Sequence, residues 1–121
     1  MSCALVQNRE GQYPNPDNPT FQAAAACADW KNAPGYYPIV TNSPGMDSWP
    51  IAATSFMLMH VKQERPQTGA DVLEFFDWAI HNGQKMAEEL DDVPLPSGLV
   101  ARIEDTWKAQ LEDPTGAPVW M

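Results

Sequence analysis

Residues 49–92 read WPIAATSFMLMHVKQERPQTGADVLEFFDWAIHNGQKMAEELDD, and two periodicities divide them. From 49 to 61 the side chains alternate. One face carries Ile51, Ala53, Ser55, Met57, Met59 and Val61; the other carries Ala52, Thr54, Phe56, Leu58 and His60. Both faces are largely apolar. That pattern predicts one long strand covered on both sides, as in an α/β sheet. A polar break at 62–66 follows, and the period changes. Val72, Phe76, Ala79, Ile80, Gly83, Ala87 and Leu90 keep helical spacing, and Leu73 and Met86 widen the stripe. Glu74, Asp77, Gln84, Lys85 and Glu88 fall outside it. The spacing predicts a helix over 67–90, with Asn82-Gly83 marking either a kink or the join of two helices.

Outward from this stretch the elements are shorter. Residues 4–7 read as a brief strand, and Asn8-Arg9-Glu10-Gly11 has turn chemistry. Prolines at 14, 16 and 19 keep the next segment out of helix. A helix is predicted over 20–30, rich in alanine, with Asp17 or Asn18 as N-cap and Pro19 in the first turn. Its apolar face contains Phe21, Ala24, Ala25 and Ala28, with Cys27 beside it. Ala33-Pro34-Gly35 and Ser43-Pro44-Gly45 are turn signals. Between them 36–40 reads as a short strand, with Pro38 at an edge or bend. Downstream, 91–96 is a break. Ser97 is the expected N-cap of a helix over 98–111, with Leu99, Val100, Ile103, Trp107 and Leu111 inward. Residues 112–121 are expected to be a polar tail with a turn at 114–116. The elements together predict an α/β fold in which three helices pack on a small sheet.

Composition bounds the function. The 121 residues suit one small domain, and 44% hydrophobic with 19% charged residues argues against wholesale disorder. The 12 prolines fall mostly between the periodic segments and imply a loop-rich chain. A net charge of −9 disfavours nucleic acid and anionic membranes. It does not disfavour a small anion, which backbone N–H groups can hold whatever the global charge. Cys3 and Cys27 are the only cysteines, too few for a disulfide scaffold, and both are expected reduced. No secretory signal is read at the N-terminus and no apolar run spans a bilayer, so the chain as it stands is expected to be soluble and cytoplasmic, unless it is a piece of something longer.

Motifs for catalysis are missing. There is no phosphate-binding glycine loop, dinucleotide fingerprint or nucleophile elbow. His60 and His81 have no HExxH or CxxC partners, so no metal site is expected. His60 ends the predicted strand, and His81 sits near a helix C-terminus, where the dipole favours its cationic form. Glu88-Glu89-Leu90-Asp91-Asp92 lacks the spacing and glycine of a calcium loop and reads as solvated charge. Cys27 has only Lys31 nearby in sequence to lower its pKa. No catalytic residue, no cofactor and no enzymatic activity are expected.

The runs WPIAATSFMLMH at 49–60 and VLEFFDWAIHNGQKMAEELDDVPLP at 72–96 also carry a resemblance, with the helix ending at Trp107, FQAAAACADW at 21–30 and TNSPG at 41–45. From about Leu5 to Trp120 the chain resembles the C-terminal third of the phosphate-binding protein of high-affinity phosphate ABC transporters. The resemblance implies part of a type II periplasmic binding-protein fold, in which two α/β lobes clamp phosphate. Residues 1–48 would then resemble the end of the second lobe, and 49–121 the return into the first. It implies a periplasmic location, inorganic phosphate as the family's ligand and an ABC permease as the family's partner. The family's phosphate ligands lie in the earlier part of its chain, so none is carried over here. Ser55 and Thr54 are the nearest candidates, and in a strand they read as core hydroxyls. Two functions follow: a fragment or truncated phosphate-binding homologue that lacks phosphate binding alone, or a stand-alone interaction module. The module would self-associate as a homo-oligomer or complement another chain through the strand at 49–61.

Overall fold

The computed structural model describes residues 3–121. The chain divides into two compact units. One takes the chain up to Phe56 together with Val93–Pro96; the other takes Met57–Asp92 and Ser97–Met121.

In the first unit the main element is α1, Asn18–Cys27. Asp17 is its N-cap: its carboxylate accepts the Thr20 N–H at 3.2 Å, and the Asp17 N–H donates back to the Thr20 hydroxyl at 3.3 Å. This reciprocal pair satisfies two donors at the helix start. The helix ends three residues earlier than its alanine content predicts, because Ala28 is extended (ψ 149°). The Trp30 indole N–H donates to the Ala25 carbonyl at 2.7 Å, which caps that end. Ala24, Val40 and Trp49 form the buried apolar centre. Phe21 meets Trp49 edge to face at 6.1 Å, and the Trp49 N–H donates to the Thr20 carbonyl at 3.1 Å.

Asn8 is buried and ties this unit together. Its Nδ2 lies 2.8 Å from the Met46 carbonyl, 3.2 Å from that of Ser48 and 3.3 Å from that of Gly45. Its Oδ1 accepts the N–H groups of Glu10 and Gln12. Gly45, with φ of +118°, sits against Ser48 and Cys27, where a Cβ would meet the Ser48 Oγ at 2.7 Å. The turn expected at Ser43-Pro44-Gly45 is therefore a packed junction.

In the second unit α2 spans Pro66–Asn82, α3 spans Gln84–Glu89 and α4 spans Ser97–Gln110. The expected helix over 67–90 is thus two helices joined at Gly83. Its N–H still bonds the Ala79 carbonyl at 2.8 Å. A Cβ there would lie 2.5 Å from that same oxygen, so the bend requires glycine. Leu73 is the fully buried residue of α2; Val72 and Leu90, assigned to the inner stripe, are exposed. On α4 the expected inner face holds at Leu99 and Val100, and Leu111 beyond its end is buried too. Trp107 packs edge to face on Trp120 at 5.9 Å. The tail turns back on itself: Asp113 N–H donates to the Ala117 carbonyl, and Val119 N–H to that of Leu111.

The expected sheet is the correction. Among the described residues no segment forms a strand ladder. The β structure there is two isolated bridges, Lys62 parallel to Glu112 and Glu112 antiparallel to Pro118. Residues 4–7, 36–40 and 49–61 are not strands; Pro34–Tyr36 is a 3-10 turn. The structure is helical with little strand, and the helices pack on no sheet. The reason lies in what a strand is. An extended backbone becomes a strand only when a second backbone satisfies its N–H and C=O groups. Side-chain alternation can be read from one segment; the partner cannot. The alternation survives only over 51–56, where Ala52, Thr54 and Phe56 are half-buried while Ile51, Ala53 and Ser55 are exposed; it is lost at Met57 and Leu58, which are both exposed.

Candidate functional site

Three places on the chain have the makings of a site. The first is the extended segment that begins at Ile51. Ile51, Met57, Leu58 and Val61 are exposed, Leu58 by 93%. The backbone bonds of the segment lie near its ends. The Thr41 hydroxyl donates to the Ala52 carbonyl at 3.1 Å, and Gln63 Nε2 donates to the His60 carbonyl. The Val61 carbonyl accepts from Glu112 N–H at 3.0 Å. Between these ends the backbone forms no ladder.

The second place is a pair of shallow depressions. In the first unit, Tyr37, Ile39, Val40, Thr54 and Phe56 line about 150 Å³. Tyr37 meets Phe56 there, ring centroids 4.6 Å apart and planes tilted by 42°. Thr54 therefore lines an apolar groove, and Ser55 is exposed; the structure does not bring the two together around an anion site. In the second unit, Pro66, Gln67, Ala70, Asp113, Pro118 and Val119 line about 290 Å³. Asp113 is the one charged lining residue. The Thr115 hydroxyl, with backbone N–H groups of Ala117, Thr115 and Gly116, holds its carboxyl below the usual range, while desolvation opposes the shift. A carboxylate held ionised repels phosphate. Neither lining contains Lys or Arg.

The third place was not predicted. Asp77 and His81 lie one turn apart on α2, and Glu104 comes from α4. One ligand atom from each lies within 4.8 Å of the other two. His81 Nδ1 is 2.9 Å from the Asp77 backbone carbonyl and 3.5 Å from its Oδ1; Nε2 is 3.2 Å from Glu104 Oε1. A carbonyl oxygen only accepts, so the Nδ1 contact places a proton on Nδ1. In the neutral ring Nε2 is then a lone pair facing a carboxylate oxygen. Glu104 Oε1 is closed off from solvent and has no hydrogen-bond donor apart from this contact. The approach is an ion pair when the ring carries two protons. With a neutral ring it is two acceptors in contact. The Asp77–His81 spacing was visible in sequence; Glu104, 23 positions beyond His81 by their numbers, was not.

The remaining sequence candidates stay apart. His60 is exposed and lies outside this group. Residues 88–92 are all exposed, and Asp91 (φ 60°) turns the chain out of α3, in keeping with solvated charge. Cys3 and Cys27 are free, exposed thiols. Among the described residues no helix is long and apolar enough to cross a membrane.

No family model matches the chain. Curated relatives do. It is 41% identical over 120 residues to the phosphate-binding protein PstS of Pasteurella multocida, covering 99% of this chain and 35% of that protein. It is 45% identical over 112 residues to PstS of Haemophilus influenzae, covering 93% and 34%. With PstS of Xylella fastidiosa it shares 42% over 112 residues, covering 93% and 31%. The chain spans about a third of the length of these relatives.

Proposed function

The chain is kin, through about a third of their length, to the PstS phosphate-binding proteins, and from this we propose that it is a fragment or truncated homologue of such a protein. The function served would be ABC-type phosphate uptake: binding and delivery, without catalysis, in the periplasm, to an ABC permease. Within that reading the chain supplies part of a type II binding-protein fold, its C-terminal third, and lacks phosphate binding on its own. The observation that carries the proposal is the match itself, nearly end to end on this chain and about one third on the relatives. The linings described above support the second part, since they offer phosphate an ionised Asp113 and no cation. Titration calorimetry of the chain with inorganic phosphate checks it, with full-length PstS of Pasteurella multocida as the positive control. The expected trace is heat of dilution only. Saturable binding at about 1 μM, near −8 kcal/mol, would overturn the claim that the ligand residues lie elsewhere.

One observation favours a second reading. The open apolar backbone after Ile51 suits a chain that works by adding a strand to a partner, either a second copy or another polypeptide. The two readings differ in what they require of that segment alone. A fragment needs its missing two thirds; a self-associating module needs only itself.

A further inference from the structure

We propose that Asp77, His81 and Glu104 form a binding site for a borderline divalent cation of the zinc class, held between α2 and α4. Nothing in the phosphate-binding reading requires it. Three observations carry it. First, the donor set is one imidazole and two carboxylates, which suits zinc. Second, the Asp77 backbone carbonyl, 2.9 Å from Nδ1, fixes the proton there and leaves Nε2 as the ligand. A backbone carbonyl on the far nitrogen is how metal-bound histidines are commonly oriented. Third, Glu104 Oε1 is closed off from solvent with no other donor and sits 3.2 Å from Nε2. Two ligands about 2.05 Å from a tetrahedral cation are about 3.3 Å apart, so one ion accounts for both the orphaned oxygen and the lone pair opposite it.

Asp77 Oδ1 lies beside Nδ1, at 3.5 Å, so its carboxylate has to swing toward Nε2 to supply a third oxygen; solvent reaches the site to complete the shell, since the side chains of Asp77 and His81 are 39% and 51% exposed. The net charge of −9 adds a general attraction for cations. The test must therefore separate this site from diffuse counterion binding.

The probe is Zn²⁺ alone, titrated into the 121-residue chain with excess Mg²⁺ present. Mg²⁺ occupies carboxylates but competes poorly for a nitrogen ligand. One equivalent is expected to bind with a dissociation constant of about 10 μM or tighter. His81→Gln and Glu104→Gln are each expected to weaken it at least about tenfold. Glu89→Gln, in the exposed acidic run, leaves it unchanged. Co²⁺ in place of Zn²⁺ should give the visible absorption of a four-coordinate ion, lost in His81→Gln. Circular dichroism shows whether each variant keeps its helices. No saturable binding would overturn the site and leave His81–Glu104 as an ion pair. Equal affinity in a folded His81→Gln chain would overturn it too. Phosphate titration does not enter this test, so its outcome and that of the phosphate-binding reading are separable.

Discussion

Asn8 shows how one polar residue can organise a unit with a small apolar centre. Its amide faces the carbonyls of Gly45, Met46 and Ser48, and its Oδ1 accepts from Glu10 and Gln12. Nδ2 has only two hydrogens, so the three carbonyls share them. In sequence Asn8 is only the first residue of a turn. What it reaches lies 37 to 40 positions away, beyond any local pattern. Asn8→Ala strips these donors from a carbonyl cluster that is part-buried at Gly45 and Met46 and buried at Ser48. The expected loss is about 2–3 kcal/mol in urea unfolding of the unit that contains it. A change below about 0.5 kcal/mol would mean that water replaces the amide at no cost.

At the scale of elements, helices were legible and strands were not. The α1 start at Asp17, the break at Gly83 and the inner face of α4 follow from capping, glycine and 3.6-residue spacing, all of them local. Gly83 carries a prediction of its own. Gly83→Ala places a Cβ against the Ala79 carbonyl, a backbone atom that cannot step aside, at an expected cost of about 1–3 kcal/mol. Gly98→Ala on α4 is the control. A Cβ there meets nothing within 4 Å, so helix propensity alone acts and stability holds or rises by up to about 1 kcal/mol. Thermal unfolding followed by circular dichroism separates the two; equal midpoints would show that the α2–α3 junction relaxes freely.

For the whole molecule, what matters is what stays uncovered. Each unit closes over only a few apolar side chains, Ala24, Val40 and Trp49 in one and Leu73, Leu99, Val100 and Leu111 in the other. Ile39, Leu58 and Leu90 remain mostly exposed. If the chain is a portion of a PstS-like protein, a polypeptide carrying the other two thirds of a relative should bind it and restore phosphate binding to the mixture. Leu58→Glu should abolish the association while leaving the helices intact. Light scattering after gel filtration reads both arms. A chain that dimerises alone and ignores the added polypeptide would favour the self-associating module.

The sequence by itself determined which segments are helical, the α1 N-cap at Asp17 or Asn18, the break at Gly83, and the kinship with phosphate-binding proteins, because capping, periodicity and identity are properties of residues close together along the chain. It determined the alternation at 49–61 as well. Only the tertiary structure decided that this alternation has no ladder among the described residues, that Asn8 holds three distant carbonyls, and that Glu104 meets His81. Each of these depends on which groups are brought together from far apart, and hydrogen bonds and ion pairs are made by proximity in space. The long apolar stretch at the centre of the sequence therefore remains its most telling feature: a strand by pattern that forms no ladder among the described residues.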